Sequence, residues 1–179
     1  LLEDFTIQGL TVSDNTGIWL TATNVSVKWS PFKLLTGNLD ITHVSATSAN
    51  IRAKPQFESS DSRGNFTIDQ IFVKEIDFPS IYLSKELLPF EQTIKIKGDF
   101  SHTPDGGTLT AKAQTIDVNP RDKVDMDVMW SPKFLINGNA QIESLPGGLI
   151  ATLLKLEGAE PLKFDMISSG TRDDLQTDI

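Results

Sequence analysis

The chain has 179 residues, a formal net charge of −8, 39% hydrophobic residues and no cysteine. This length and apolar content suit one folded domain or a repeating sheet and argue against wholesale disorder. The acidic balance, with no basic patch in the sequence, argues against nucleic-acid binding. No apolar run reaches the ~18 residues of a membrane-spanning helix. Because the sequence begins at Leu1 without an initiator methionine, we expect a processed or excised segment, with any anchor upstream.

Apolar and polar side chains alternate through the first fifty residues. A period of two predicts half-buried β-strands, and abundant Thr, Ser, Ile and Val favour β structure. The apolar phase shifts at Gly9, which predicts a bulge or bend, and residues Asp14 to Gly17 have the composition of a tight hairpin turn. If these strands share one sheet, the apolar phase lines one face. The leading candidates for that face, in this segment and a later one, are Val25, Val27, Leu39, Ile41, Ile94 and Ile96.

A short helix is predicted from Ser30 to Gly37. Ser30 suits the N-cap, Pro31 the first helical position, and Gly37 the residue just past the end. The segment is apolar for its size, so we expect it to plug an open end of the sheet or to cover an edge strand. Phe32 and Leu35 are the candidate plug residues.

The chain from Lys54 to Asn65 is predicted to be a flexible loop, because Pro, Gly, Ser and Asp dominate it. Strands resume at Phe66 and continue through the alternation at Ile94 and Ile96, with Pro79 marking an edge or a break in pairing. Two Trp-Ser-Pro segments, at Trp29 and Trp130, resemble each other as exits from strands into turns.

A second helix is predicted from Pro146 to Leu156, the one segment with helical spacing. Leu149, Leu153 and Leu156 fall on one stripe. Such a helix cannot join a β-ladder, so we expect it to bury this stripe across the sheet. It is then either a movable lid, with Leu149 and Leu153 as lid residues, or a fixed cap on the end of the sheet.

Residues for catalysis or metal binding are not found at any recognised spacing. His43 and His102 stand alone in their segments, and no fixed spacing supports a Ser-His-Asp triad. Asp122, Asp125 and Asp127 do not fit a calcium loop and are interpreted as acids on the wet face of a strand. We therefore predict no enzymatic activity, no cofactor and no metal. Trp29 and Trp130 are either sugar-stacking platforms or anchors of sheet corners.

Two ordered segments of the chain resemble TamB-type proteins of the translocation and assembly module, in the AsmA-like group. The first comprises Leu10 to Asp14, Gly17 to Leu20, Trp29 to Pro31, and Leu34 to Gly37 with Leu39; it resembles a family signature LTLSD-x-x-G-x-WL followed by W-x-P-x-x-LL-x-G-x-L. The second comprises Pro146 to Ala151, Leu153-Leu154, Pro161-Leu162, Gly170 and Asp173-Asp174; it resembles PGGLLA-x-LL, PL and G-x-x-DD in the same order. The acidic loop at 54–65 and the paucity of Arg depart from the family pattern.

The resemblance implies a fold and a role. Members have an inner-membrane anchor and a long, mainly antiparallel β-sheet that curls into a trough, apolar inside and polar outside. They span the periplasm of Gram-negative bacteria toward an outer-membrane barrel partner of the Omp85 type. The group is associated with phospholipid transport to the outer membrane, and TamB members also with outer-membrane protein insertion. We therefore expect one continuous all-β trough segment over residues 1–179.

Three readings remain open at this point. The chain is a segment of a phospholipid conduit, a scaffold that assists outer-membrane barrel assembly by adding strands to its sheet edges, or a carbohydrate-binding β-sandwich. Alternation alone does not separate them, because an apolar face can be open or covered by a second sheet.

Overall fold

The computed structural model describes residues 3–56, 68–88, 90–116, 121–131, 135–156, 160–171 and 174–178. These residues form eleven strands and two short helices. In chain order the elements are β1 (Glu3–Asp14), β2 (Gly17–Trp29), α1 (Pro31–Leu34), β3 (Asn38–Ser45), β4 (Ser48–Ile51), β5 (Gln70–Leu83), β6 (Gln92–Thr103), β7 (Gly106–Thr115), β8 (Asp122–Trp130), β9 (Ile136–Ser144), α2 (Leu149–Leu153), β10 (Leu162–Thr171) and β11 (Asp174–Asp178).

All of these strands belong to one sheet, in the order β1-β2-β3-β5-β6-β7-β8-β9-β10-β11. The short strand β4 continues the line of β3 and lies between β2 and β5. The pairing is antiparallel except where β3 and β4 pair with β5. The prediction of an all-β, mainly antiparallel curled sheet with two short helices is confirmed.

The parallel pairing of β3 and β4 with β5 was not predicted from the sequence. Two parallel neighbours need a connection that returns along the length of the strands. Here the chain after Ile51 must return to the other end of the sheet before β5 begins at Gln70. This requirement explains why a long segment, which includes residues 54–65, separates β4 from β5 in the sequence. Residues 54–56 lack regular secondary structure, and 57–65 lie outside the described residues.

Strand directions define two ends of the sheet. The α1 end is where β2 stops and β3 starts, and it also holds the β6–β7 and β8–β9 turns. The α2 end is where β9 stops and β10 starts, and it holds the β1–β2, β5–β6 and β7–β8 connections.

The registers place the apolar phase of each strand on one side of the sheet, because residues directly opposite each other on neighbouring strands share a face. We call this side the apolar face and its opposite the polar face. The apolar face comprises Phe5, Ile7, Leu10, Val12, Leu20, Ala22, Val25, Val27, Trp29, Leu39, Ile41, Val44, Ala49, Ile51, Ile71, Val73, Ile76, Phe78, Ile81, Leu83, Ile94, Ile96, Phe100, Leu109, Ala111, Ala113, Val124, Met126, Val128, Trp130, Ile136, Ala140, Ile142, Leu162, Phe164 and Met166.

Two register shifts in β5 keep its apolar residues on this face. They lie between Val73 and Ile76 and between Phe78 and Ile81. At each point β5 advances three residues while β6 advances two, so β5 accommodates one extra residue as a bulge. Without the bulges, the apolar residues that follow would alternate onto the polar face. Pro79 lies within the second irregularity, which agrees with the predicted break in pairing.

β1 and β2 change phase together at the position predicted from Gly9. Ile7 opposes Val25 and Leu10 opposes Ala22, so both strands advance three residues between apolar positions while their register stays the same. Asn24 takes a left-handed conformation with φ of 48°, which permits the change. The irregularity in register itself lies further along, between Val12 and Ser13.

The best-packed part of the apolar face is a cluster at β2, β4 and β5. Ala22, Val25, Ala46, Ala49, Ile81 and Leu83 are buried there, and Ile94 and Ile96 of β6 pack against them. Leu87 and Leu88, in the β5–β6 connection, contact the same cluster. This connection therefore covers the apolar face locally.

The predicted helices are shorter than expected, and their apolar side chains are more exposed. α1 has four residues, with Pro31 in its first turn and Gly37 beyond it at φ of 76°, but Ser30 makes no side-chain cap hydrogen bond. Phe32 is 63% and Leu35 82% exposed, so neither is packed as a plug would be. α2 has five residues, and the expectation that it buries its leucine stripe is wrong: Leu149 is half-buried but Leu153 is 51% exposed.

Candidate functional site

The apolar face is the main candidate site, because it is extensive and largely uncovered. Only eight hydrophobic side chains in the described residues are fully buried. The described strands form a single sheet, so no second sheet packs on this face, and helices of four and five residues are too short to replace one. Most residues of the face are consequently half-buried, in contact with neighbours within the sheet but open above it.

All six residues predicted to line a groove lie on this face. Val25 is 8% exposed, and the other five are half-buried. Leu39 and Ile41 oppose Ile71 and Val73 toward the α1 end. The other four, Val25, Val27, Ile94 and Ile96, belong to or border the buried cluster. Their contact with lipid stays a prediction.

The face continues across β7 to β10, where we named no candidates from the sequence. Rows of directly opposed apolar residues cross these strands, one of them formed by Ala113, Val124, Ile142 and Phe164. The alternation in these strands was visible in the sequence. The register that aligns it into rows was not.

An aromatic group lies on the apolar face at the α1 end. The Trp130 ring is 5.8 Å from the Phe100 ring and 6.3 Å from the His102 ring, measured between centroids. Trp130 also lies against Gly107, where an added Cβ would come within 2.3 Å of its ring. Trp29 and Trp130 both end strands at this end, as predicted from the two Trp-Ser-Pro segments, and both are half-buried. Trp130 is therefore packed as an anchor of a sheet corner.

A buried polar cluster fixes α2 to the opposite end of the apolar face. The Asp122 carboxylate accepts hydrogen bonds from the backbone N–H of Leu149 at 2.7 Å and of Ile150 at 3.1 Å, and from the Ser144 hydroxyl at 2.6 Å. Ser144 Oγ in turn accepts from the Ala151 N–H at 3.2 Å. Asp122 is 5% exposed, so the interpretation of Asp122 as an acid on the solvent-exposed face of a strand is wrong. Three residue steps separate it from Asp125, which puts the two on opposite faces.

His43 joins two polar side chains in a pattern that sequence reasoning missed. Its Nε2 lies 2.9 Å from Ser45 Oγ and its Nδ1 lies 3.0 Å from a Glu75 carboxylate oxygen. The order serine, histidine, carboxylate is that of a hydrolase triad. Glu75 is contributed by β5 and reaches His43 only through the parallel β3–β5 pairing.

This group lacks other parts of a catalytic site. Ser45 lies within the ladder, opposite Ser26 on one side and Asp77 on the other. Among the described residues no helix begins beside Ser45, and in the bend that follows it the Thr47 N–H already donates to the Thr23 carbonyl at 3.0 Å, so this amide is not available as an oxyanion donor. The Glu75 side chain is 61% exposed, so water screens its interaction with His43. The second histidine, His102, lies on the other face against Trp130. We interpret the group as a cross-strand polar network.

Two further properties of the described residues bear on candidate chemistry. They contain no group of three or more His, Asp or Glu side chains placed to hold a metal ion. None of their helices has the length and apolarity needed to span a membrane. Comparison of the chain with protein-family models, with curated proteins and with solved structures finds no match.

Proposed function

We propose that this chain is a phospholipid-carrying segment of a TamB-type, AsmA-like envelope protein. The observation that supports the proposal is the uncovered apolar face, to which β1, β2, β3 and β5 to β10 contribute. An acyl chain that crosses water costs about 0.8 kcal/mol for each exposed methylene. A carrier must therefore offer a continuous apolar path. The row that runs through Phe78, Ile96, Ala113, Val124, Ile142 and Phe164 has that property.

The dimensions of the sheet suit such a carrier. Ten strands follow one another along the main path, and neighbouring strands lie about 4.8 Å apart, so the face extends roughly 43 Å over nine intervals. Acyl chains that lie on the face would contact half-buried side chains that water otherwise covers. The polar face, with its Lys, Asp and Thr side chains, would remain in water.

The cellular setting in this proposal is taken from the resemblance. We propose a periplasmic segment, tethered to the inner membrane by a part of the protein upstream, that passes phospholipid toward an Omp85-type outer-membrane partner. The chain carries no enzymatic activity in this proposal, and it needs no cofactor.

Site-specific photo-crosslinking tests the lipid path. Crosslinkers at Ile96 and Val27 on the apolar face should capture phospholipid in cells, whereas crosslinkers at their polar-face neighbours Lys95 and Lys28 should not. Asp40 is unsuitable as a polar-face control because it is buried and paired with Lys33. Equal capture at both sets would refute the proposal. Mass spectrometry of lipids that co-purify with the protein would identify the cargo.

A serine-directed probe tests the absence of hydrolase activity. A fluorophosphonate should not label Ser45, because its neighbourhood offers no oxyanion donors to stabilise the adduct. Ser45→Ala and His43→Gln should leave envelope function intact. Labelling that disappears in Ser45→Ala would assign this group a catalytic role.

A second candidate function, scaffolding of barrel assembly, is favoured by β1. This strand has twelve residues and pairs only with β2 among the described residues, so backbone groups along its other side are available to an added strand. A crosslinker at Thr6 should then capture an extended outer-membrane protein segment, and one at Thr110 in the middle of the sheet should not. The third reading, a carbohydrate-binding β-sandwich, requires two packed sheets, and the described strands form one.

A further inference from the structure

The α2 end of the sheet has a group of exposed leucines on a fixed support. Leu153 and Leu154 are 51% and 55% exposed, and Leu145 and Leu156 are 42% and 44% exposed. Exposed large apolar residues that occur singly are common, but a group on one projection marks an interaction surface. We call these four residues the leucine tip.

The leucine tip cannot turn inward, because polar contacts fix the orientation of α2. The Asp122 carboxylate and the Ser144 hydroxyl hold the first three amides of the helix. This arrangement directs Ala151, 3% exposed, toward the sheet. The turn into α2 lies close against these two side chains, since a Cβ added at Gly148 would lie 2.6 Å from Asp122 Oδ1 and 2.7 Å from Ser144 Oγ. The remaining leucines therefore face outward as a property of the fold.

A basic stripe lies on the polar face next to the same end. It consists of Lys95, Lys97, Lys112, Arg121, Lys123 and Lys163, which line two adjoining surface pockets of about 240 and 190 Å³. These residues come from β6, β7, β8, β10 and the residue before β8, so the sequence shows no basic run.

The charge of the stripe is only partly neutralised. Three carboxylates each pair with one lysine of the stripe: Asp77 with Lys97 at 3.0 Å, Asp125 with Lys112 at 3.0 Å, and Glu143 with Lys163 at 3.2 Å. Asp99 and Asp165 lie on the same face, two residues from Lys97 and Lys163. Lys95 and Lys123, both exposed, have no ion pair within the described residues, and Gln114 lies between them in the register. Lys97 and Lys112 are directly opposite, a placement that costs stability in a sheet. In a chain of net charge −8, this concentration favours an anionic partner.

The two features adjoin each other at the edge of the sheet. Arg121 donates to the Gly147 carbonyl at 3.1 Å, in the turn that leads into α2, and Leu145 lines the same pocket as Arg121 and Lys123. The sequence after α2 contains Lys155, Glu157 and Glu160, so this segment has a net charge of −1. Apolar side chains that project beside lysines are the combination that binds peripheral proteins to anionic lipid surfaces.

We propose that the α2 end docks on an anionic lipid bilayer, with the leucine tip inserted at the level of the headgroups and the basic stripe against their phosphates. This inference does not depend on the lipid-carrying role of the apolar face, since the basic stripe lies on the polar face and the leucine tip projects at the end of the sheet, outside the rows of the apolar face.

Flotation with lipid vesicles tests the proposal. The protein should bind vesicles made of equal parts phosphatidylcholine and phosphatidylglycerol and should bind vesicles of phosphatidylcholine alone far less. Leu153→Ser with Leu154→Ser should weaken binding on the order of tenfold or more. Lys95→Gln with Lys123→Gln should weaken it on the order of twentyfold, at about fivefold for each lysine near the surface. Both pairs are exposed, so the variants should fold normally, and circular dichroism would verify this.

Matched variants at the other end provide the control. Phe32→Ser with Leu35→Ser removes exposed apolar residues at the α1 end, and Lys74→Gln removes an exposed lysine; neither should change vesicle binding. Equal binding to both vesicle types, no binding to either, or equal weakening by the α1-end variants would overturn the proposal. The proposal would also be overturned if the leucine variants lost self-association, measured by light scattering, but kept vesicle binding. That result would show that the leucine tip contacts a second copy of the chain. Lipid crosslinking at Ile96 should persist in the α2-end variants, which separates this test from that of the proposed function.

Discussion

The two halves of the sheet have the same alternating pattern but are stabilised differently. In the half from β1 to β5, bulges and bends accompany a buried apolar cluster, which contains six of the eight fully buried hydrophobic residues. From β7 to β10 the pairing shows no register shift. Among the described residues of these strands the only buried hydrophobic side chain is that of Ala140, and the other buried side chains are polar: Thr115, Asp122, Ser144 and Ser168. Alternation by itself therefore does not produce a core. A sheet buries its apolar face only where irregularities or a connection cover it, and the regular half leaves its face open.

A change of register in the half from β7 to β10 should have the largest effect on the free energy of unfolding. Deletion of Asp127 from β8 would move Val128 and Trp130 to the polar face, since every residue beyond the deletion changes sides. Removal of two such side chains from their packing should cost about 3–5 kcal/mol of unfolding free energy. Asp127→Ala, which keeps the phase, is the matched control and should cost little. Similar denaturation midpoints for the two variants would show that the register of this half is not fixed by its apolar phase.

Truncation of apolar side chains should separate the halves directly. Ile81 is 6% exposed and belongs to the buried cluster, so Ile81→Ala should lower the free energy of unfolding by about 2–5 kcal/mol. Ile142 on β9 is half-buried, so Ile142→Ala should lower the free energy of unfolding by only about 1–2 kcal/mol, because water already reaches part of this side chain. Chemical denaturation of the two variants measures the difference. Equal losses would contradict the view that only the first half has a packed core.

Asp122 tests whether a polar cluster replaces the apolar core at the α2 end. Asp122→Ala would leave the buried Ser144 hydroxyl and the first amides of α2 without their acceptor. The free energy of unfolding should fall by about 1–3 kcal/mol as a result. Hydrogen exchange at Leu149, Ile150 and Ala151 should accelerate, while exchange in β5 should not. Asp125→Ala removes only a surface ion pair and should cost about 0–1 kcal/mol. If α2 exchanges at the same rate in both variants, Asp122 does not hold the helix.

The smallest expected effect is at Asp14, in the β1–β2 turn. The Gln56 backbone N–H, then the Thr16 hydroxyl and Thr16 backbone N–H, donate to its carboxylate and hold the pKa of Asp14 below its ordinary value of 3.8. A lowered folded-state pKa adds stability above pH 3.8, and this contribution is lost as the pH falls through the lower folded value. Asp14→Asn should flatten this part of the pH–stability curve slightly. An unchanged acid branch would show that the contact does not persist in solution.

Local features of the fold were predictable from residue types and periods. The phase change at Gly9, the strand exits at Trp29 and Trp130, Gly37 after the first helix, and the side of the sheet taken by Val25 and Ile96 all follow from a few neighbouring residues. What failed required knowledge of distant partners. The parallel pairing of β5, and with it the contact of Glu75 with His43, depends on residues thirty-two positions apart.

The helices were misjudged for a related reason. The apolar stripe of Leu149 and Leu153 predicted burial, but Asp122, on another strand, determines which side of α2 faces the sheet. The basic stripe was likewise invisible in the sequence, because its six residues are scattered from position 95 to 163 and only the strand registers assemble them.

The parallel crossover between β4 and β5 also sets an order of assembly. From β5 to β10 each strand pairs with the next one in the chain, so these hairpins can form one after another by closing short loops. β3 can join β5 only after the intervening segment closes a longer loop, which costs more chain entropy. We therefore expect the second, open half to form its ladder early and the packed cluster, which contains residues of β2, β4 and β5, to form late. In a chain synthesised from its N-terminus, the strands that contain most of the core residues would wait for β5 before they could bury them.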